Sequence, residues 1–474
     1  MQKLSFDREG SGISNLDGRL WGEIGENISQ FFSDRAMVTA RINIEALYLI
    51  ELSKIGVIRK LDKKEIDALL VLPNKITPKV YANLRKIEAE VRHDVLTMTL
   101  IMKKLLSVTK SLDDVIKHGW IHWGLGSEDV DNLARALIIK NFLKNSFLPK
   151  ASETLRLIAD LSAKTKDIII PGKTHLQTAV PTVLGKEIAI FGIRLAEVFA
   201  KIQNINLKGK LSGDVGNLNA HKIALPKINW QKFSKNFVES LGLTHNPYTT
   251  QIESRASLVE LFQLIHHFNS ILIDMSQDFR IYIGFGWFFQ EVKQKESGSS
   301  AMPHKVNPID FENSQGNSLL ANWIFEGLIR QLPVSWLQRD LVDKTILRNL
   351  GLPFGYSLIS LISANKGLSR IMPNLAKIND DLESDWSSLS EAFQAVLRAS
   401  GEGKAYDKLK ELTRGKNLTK KDIDIWINSL KIDKKLKEKL SNIDHSLYVG
   451  YAKENCIEMI KKILAVAKTP LLSS

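Results

Sequence analysis

One cysteine in 474 residues, Cys456, excludes an internal disulfide and makes a reducing compartment, the cytoplasm, the default location. A lone thiol of this kind reads as a small core residue rather than a nucleophile. No apolar run approaches the ~18 residues of a membrane span. The start, MQKLSFDREG, lacks the apolar stretch of a signal peptide. There is no internal repeat, low-complexity tract or long linker. No His/Cys/Asp/Glu cluster with metal-ligand spacing accompanies the motifs below, so no metal and no cofactor are expected. The glycine-rich bend from Ser212 to Asn217 has no Gly-Lys-Ser/Thr after it and is not a phosphate loop.

Charge of one sign is in short supply: 52 acidic residues against 65 Lys and Arg, a net +13. That balance fits a nucleic-acid binder, an enzyme for anionic substrates or a lysine-rich proteome. The densest lysines (Lys420, Lys421, Lys431, Lys434, Lys435, Lys437, Lys439) alternate with Ile, Leu and Asp, as on a solvated helical face. No aromatic-interleaved basic patch is present, so neither nucleic acid nor membrane is expected as a partner. Hydrophobic content of 44% and the length suit a soluble chain of two or three domains.

What is present is helical periodicity. Residues 26–115 carry few glycines or prolines, and Asn43–Leu52 and Leu84–Leu105 repeat apolar residues every three or four positions. Leu258, Leu261, Ile265, Phe268, Leu272, Met275 and Phe279 keep an alternating 3-4 spacing, which predicts a long bundle helix over 257–283 with its Met and Phe in the core. Residues 317–371 and the lysine-rich C-terminal part also read as helical. The expected organisation is an N-terminal helical domain at 1–115, with an irregular arm to about residue 25. A central bundle follows at 116–365, then a helical cap at 366–474.

The chemistry is concentrated in Ser297-Gly298-Ser299-Ser300-Ala301-Met302-Pro303-His304-Lys305-Val306-Asn307-Pro308. Its front is small and mobile. Pro303 and Pro308 lock its back, and a cation and an amide, Lys305 and Asn307, lie between them. The run resembles the signature of the fumarase/aspartase superfamily, Gly-Ser-Ser-x-Met-Pro-x-Lys-x-Asn, at every specified position. Its continuation, Ile309 to Ser314, and the runs at 246–253 and 408–416 resemble the bacterial adenylosuccinate lyase branch. Motif resemblance extends from Asp17 to Lys416.

The resemblance implies an all-α, three-domain fold with a central long-helix bundle that forms tetramers, each active site drawing on three subunits. It assigns the base to Ser299 and the acid to His175, in Thr174-His175-Leu176-Gln177. Lys305 and Asn307 would hold the carboxylate whose charge grows during elimination. Substrate contacts are implied for Arg19 of Asp-Gly-Arg, for His93 and Asp94 beside Arg92, for Ser127, Thr174 and Gln251, and for Arg339, Lys344 and Arg348 around a nucleotide phosphate. Four positions depart from the branch pattern: Leu20 replaces an aromatic, Arg92 a smaller amide, Gly126 a threonine and Lys344 a serine. The implied activity is release of fumarate from adenylosuccinate, giving AMP, and from SAICAR, giving AICAR, in purine biosynthesis. The alternatives are a lyase for a different succinylated amine and a non-catalytic structural paralogue.

Overall fold

The computed structural model describes residues 16–292, 302, 304–402, 409 and 418–468. The chain is helical almost throughout, with three small two-stranded sheets among the described residues. The helical first part consists of α1 (Trp21–Phe32), α2 (Asp34–Lys54), α3 (Lys63–Leu70), α4 (Pro78–Val91), α5 (Asp94–Leu106) and α6 (Asp113–Lys117). Local chemistry sets several of these starts. Ser33 caps α2 through Ala36 N–H at 3.2 Å, and Thr77 caps α4 with Pro78 at its first position. Helix α1 begins inside the stretch expected to be an irregular arm, at Trp21 rather than after residue 25. The apolar pattern of 84–105 is not one helix. It breaks at Arg92, whose left-handed φ of 54° ends α4, and His93 caps α5.

The bundle follows: α7 (Ser127–Phe142), α8 (Leu148–Thr165), α9 (Leu184–Gln203), α10 (Asn219–Ala224), α11 (Trp230–Ser240) and α12 (Ala256–Gly284). After it come α13 (Ile309–Gln331), α14 (Val342–Leu347) and α15 (Gly351–Ser369). All seven predicted seam residues of α12 are buried. Helix α12 packs on α13, α9 and α15, and α13 packs on α15. By length and composition α12 is apolar enough to cross a bilayer, yet its seam lies inside this bundle, as expected of a core helix. Phe279 stacks on Phe311 of α13 at 5.1 Å. The buried amide of Asn269 donates to Asn322 Oδ1 (3.1 Å) and Ser357 Oγ (2.9 Å), which sets the register of the three helices.

Between α8 and α9 the chain forms a β-hairpin, β1 (Ile169–Thr174) with β2 (Gln177–Val183), where a plain turn was expected. A second core, built around Trp386, Leu389, Phe393, Leu397, Ile423, Ile427 and Leu440, belongs to the C-terminal part. The last helix, Ala452–Lys468, returns to the main bundle and packs on α8 and α9. Cys456 is buried in that contact, in agreement with its reading as a core residue.

Candidate active site

The implied site residues fall into two groups at opposite ends of α12. At 29 residues that helix spans roughly 43 Å.

The first group surrounds Arg255, just before α12. Ser127 opens α7, and Gly126 caps it with its N–H bonded to Asp129 Oδ2 at 2.8 Å. The Arg339 guanidinium donates to Ser127 Oγ and to Gln251 Oε1, both at 3.4 Å, and pairs with Glu128 at 3.1 Å. Glu128 is fully buried and also meets Arg255 at 3.0 Å and Arg135 at 3.6 Å. Arg255 reaches on to Asp343. Burial pushes the Arg135 guanidinium down from its ordinary range, with Glu128 opposing and Arg255 reinforcing that shift.

A second layer of charge adjoins it. Arg41 bridges Asp131 (2.6 Å) and Asp94 (3.0 Å), and Lys344 reaches Asp94 at 2.8 Å. Burial pushes the Asp94 carboxyl up, but Arg41 and Lys344 together pull it well below the usual carboxylate range. The stability from this pairing is therefore complete above the unfolded value of about 3.9 and is lost only as pH falls through the lower folded value. Arg348 lies 3.8 Å from Asp94 with 61% of its side chain exposed, against 15% for Lys344. Six cations and four carboxylates make up the combined network, an excess of two positive charges. Excess charge of this kind, part of it solvent-facing on Arg348, favours binding of an anion.

Arg92 and His93 lie exposed at the α4–α5 break. Leu96 N–H donates to His93 Nδ1 at 3.1 Å. Sequence reasoning missed Arg41, Glu128, Asp131, Arg135, Arg255 and Asp343. Five of these lie within helices, where the local signal is charge on a buried face, and Arg255 precedes α12 with no periodic signal.

Glu128 holds three guanidinium groups, so Glu128→Ala is expected to cost about 3–5 kcal/mol of stability by leaving those charges buried and unpaired. A denaturant or thermal melt compared with Glu128→Gln checks this, with the smaller loss expected for Gln.

The second group lies at the Phe285 end of α12. Thr174 and Gln177 close the β1–β2 hairpin, and the two-residue loop between them is His175-Leu176, at φ of 54° and 60°. Hairpin loops of this form favour Asn-Gly. Holding His and Leu there is strained backbone of the sort concentrated at functional sites. Thr174, His175, Leu176 and Gln177 are all exposed, and Lys173 of the same hairpin stacks over Phe285 at 5.7 Å.

Lys305 and Asn307 lead into α13. Gln290 Nε2 donates to Val306 O at 3.1 Å, and Gln290 ends the short strand Phe288–Gln290 that follows α12. Arg19 lines a cavity with Asp310, Asn313 and Lys366 at the start of α13. Ser299 lies outside the described residues. One chain therefore brings Asp94, Ser127, Gln251, Arg339, Lys344 and Arg348 together at one end, and leaves His175, Lys305 and Asn307 at the other.

Residues 22–321 match the model of a lyase family, and residues 335–449 match that of the adenylosuccinate lyase C-terminal region. Over 445 residues the chain is 38% identical to the adenylosuccinate lyase of Buchnera aphidicola subsp. Schizaphis graminum, covering 93% of this chain and 97% of that one. The chain belongs to the adenylosuccinate lyase family. The Escherichia coli (strain K12) member is 37% identical over 443 residues, covering 93% and 96%. The Dictyostelium discoideum member is 37% identical over 453 residues, covering 92% and 96%.

The same fold is seen in 3-carboxy-cis,cis-muconate lactonizing enzyme from Pseudomonas putida (TM-score 0.75, 18% identity, 93% of this chain and 97% of that one). It is also seen in a fumarate lyase from Mesorhizobium sp. BNC1 (TM-score 0.74, 16% identity, 92% and 97%). Family membership carries the all-α superfamily architecture and lyase chemistry.

Proposed function

We propose that the protein cleaves adenylosuccinate to AMP and fumarate, and SAICAR to AICAR and fumarate, in purine biosynthesis in the cytoplasm. The observation that carries the reading is the Ser127–Gln251–Arg339 group inside a network with two unmatched positive charges. It is suited to a substrate that carries carboxylates and a phosphate.

The reaction is a β-elimination. A base removes a proton from the carbon next to a carboxylate, and the electron pair flows into that carboxylate as a dianionic aci-carboxylate. The pair then returns to form the fumarate double bond as the C–N bond breaks, and an acid protonates the departing nitrogen. We assign the base to Ser299. Its hydroxyl needs loop closure, nearby cations and N–H donors to act as an alkoxide. Lys305 and Asn307 hold the carboxylate in which charge accumulates. The acid is His175, since imidazole donates a proton near neutrality. Thr174 accompanies it on the hairpin, and Arg19, Arg92, His93, Asp94, Lys344 and Arg348 complete the substrate contacts.

We further propose a homotetramer in which each site joins the Arg339 end of one subunit to the His175 and Lys305 ends of others. The 43 Å scale of α12 supports this, since no single chain closes that distance. The exposed hairpin tip, with Leu176 62% exposed, supports it as well. The division at 1–115, 116–365 and 366–474 describes the tetramer's parts.

Loss of adenylosuccinate ultraviolet absorbance on mixing with the purified protein tests the reading, and a folded oligomer that leaves the absorbance unchanged refutes it. A second reading, a lyase for a different succinylated amine, is favoured by Lys344. Its ammonium is engaged by Asp94 rather than presented to a phosphate. Under the first reading Arg348 is the exposed cation for the phosphate. Arg348→Ala is then expected to raise KM by roughly 10–100-fold, the worth of a hydrogen bond to a charged group, with a much smaller change in kcat. Initial rates across substrate concentration check this.

A further inference from the structure

Gly126 and Asp214 are distant in sequence and meet at the first turn of α7. A Cβ built on Gly126 would stand 2.5 Å from Asp214 Oδ1 and 3.5 Å from the Asp214 Cα. A side chain at 126 therefore requires the Asp214 carboxylate to turn away, and Asp214 as placed takes the space that a threonine at 126 would fill.

The bend that carries Asp214 is clamped from both sides. The Asp129 carboxylate accepts from Ser212 N–H at 2.8 Å and from Gly213 N–H at 3.0 Å. The buried Lys210 donates to Gly213 O at 2.8 Å. Ser212 Oγ pairs with Thr249 Oγ1 at 2.8 Å, two residues before Gln251. Gly213 and Gly216 turn the chain at φ of 76° and 79°, conformations that only glycine adopts freely. Asp214 itself is exposed, and its carboxylate makes no hydrogen bond or ion pair with the described residues. Its charge does reach His122, whose imidazole burial pushes down while Glu45, Asp129 and Asp214 push it up. The result is an unengaged carboxylate on a clamped backbone bend, beside the residue that precedes Ser127.

We propose that Asp214 is a specificity-determining residue of this pocket: it accepts a hydrogen bond from the N–H of the succinylated amine and opposes dicarboxylates that lack one. The inference rests on the proposed function and takes Ser127, next to Gly126, as a holder of a succinyl carboxylate. In an N-succinyl substrate the carbon bearing one carboxylate also bears the nitrogen, so a donor lies next to the gripped group. Fumarate has two carboxylates and no N–H. An anion at this point opposes both dicarboxylates by like charge, and only the N–H of the substrate offsets that repulsion, so substrate is favoured over product.

Calorimetric titration of fumarate into the intact wild-type oligomer, Asp214→Asn and Asp214→Ala tests it, together with KM for adenylosuccinate. Both variants are expected to bind fumarate about tenfold more tightly, since a like charge has gone. Asp214→Asn retains an accepting oxygen and is expected to keep KM within about threefold, whereas Asp214→Ala raises it about tenfold. Gly126→Thr is expected to lose turnover and to regain it in the Asp214→Ala background, the mark of coupled positions. Unchanged fumarate affinity in both variants overturns the inference, and so does fumarate binding to none of the three proteins. If the wild-type protein binds fumarate but does not turn over adenylosuccinate, the choice of amine has failed. The fumarate titrations then still decide the role of Asp214.

Discussion

Mixing two inactive variants, His175→Ala and Arg339→Ala, in hybrid oligomers is expected to restore fumarate release to roughly a quarter of the wild-type rate by random assortment. The two residues lie at opposite ends of α12, one on the β1–β2 hairpin beside Phe285 and the other in the Glu128–Arg255 network before Ala256. Domain closure within one chain cannot bridge that distance, because α12 is a single helix without a break whose seam is buried in the bundle. A hybrid oligomer holds some sites in which the His175 end of one subunit and the Arg339 end of another are both intact. Activity from co-expressed or co-refolded variants, set against either variant alone, is the measurement. No recovery from hybrids whose mixed composition has been verified would mean that each site is completed within one chain.

The second large effect belongs to the proton transfers. His175→Ala is expected to lower kcat for fumarate release by about 10²–10⁴-fold, the range for losing a positioned acid, while KM changes little. The hairpin makes this a clean test. His175 is exposed at a loop tip, so its removal opens no cavity in the core. Because its φ lies in the left-handed region, His175→Asn is the better-tolerated control, since Asn adopts that conformation more readily than Ala. Ser299→Ala is expected to produce a loss of similar size as the missing base. Steady-state rates with circular dichroism of each variant separate chemistry from folding. Near-wild-type turnover in either variant would remove that residue from its role.

Much of the fold was legible in the sequence because it depends on short-range spacing. The α12 seam appears as apolar residues every three or four positions, and each of its seven members is buried. The start of α7 is set one residue earlier than a serine cap would put it, by Gly126 with Asp129 three residues on. Two local features were not legible. The hairpin at 169–183 keeps its Pro171-Gly172 turn signal inside β1 and turns instead at a strained His-Leu loop. The α4–α5 break occurs at Arg92, a residue that normally continues a helix. At the site, motif residues were found by chemistry, but their partners were not. Nothing in the spacing around Lys344 points to Asp94, and nothing near Gly126 points to Asp214. Those contacts arise from tertiary packing, and they decide which cations are available to an anion and which are already engaged.

The most direct measurement is a single incubation of the purified oligomer with adenylosuccinate in which AMP and fumarate are quantified independently. Equal amounts of both products, formed catalytically and suppressed in His175→Ala, are the expected result. A folded oligomer that binds fumarate yet leaves adenylosuccinate intact would contradict the proposed activity.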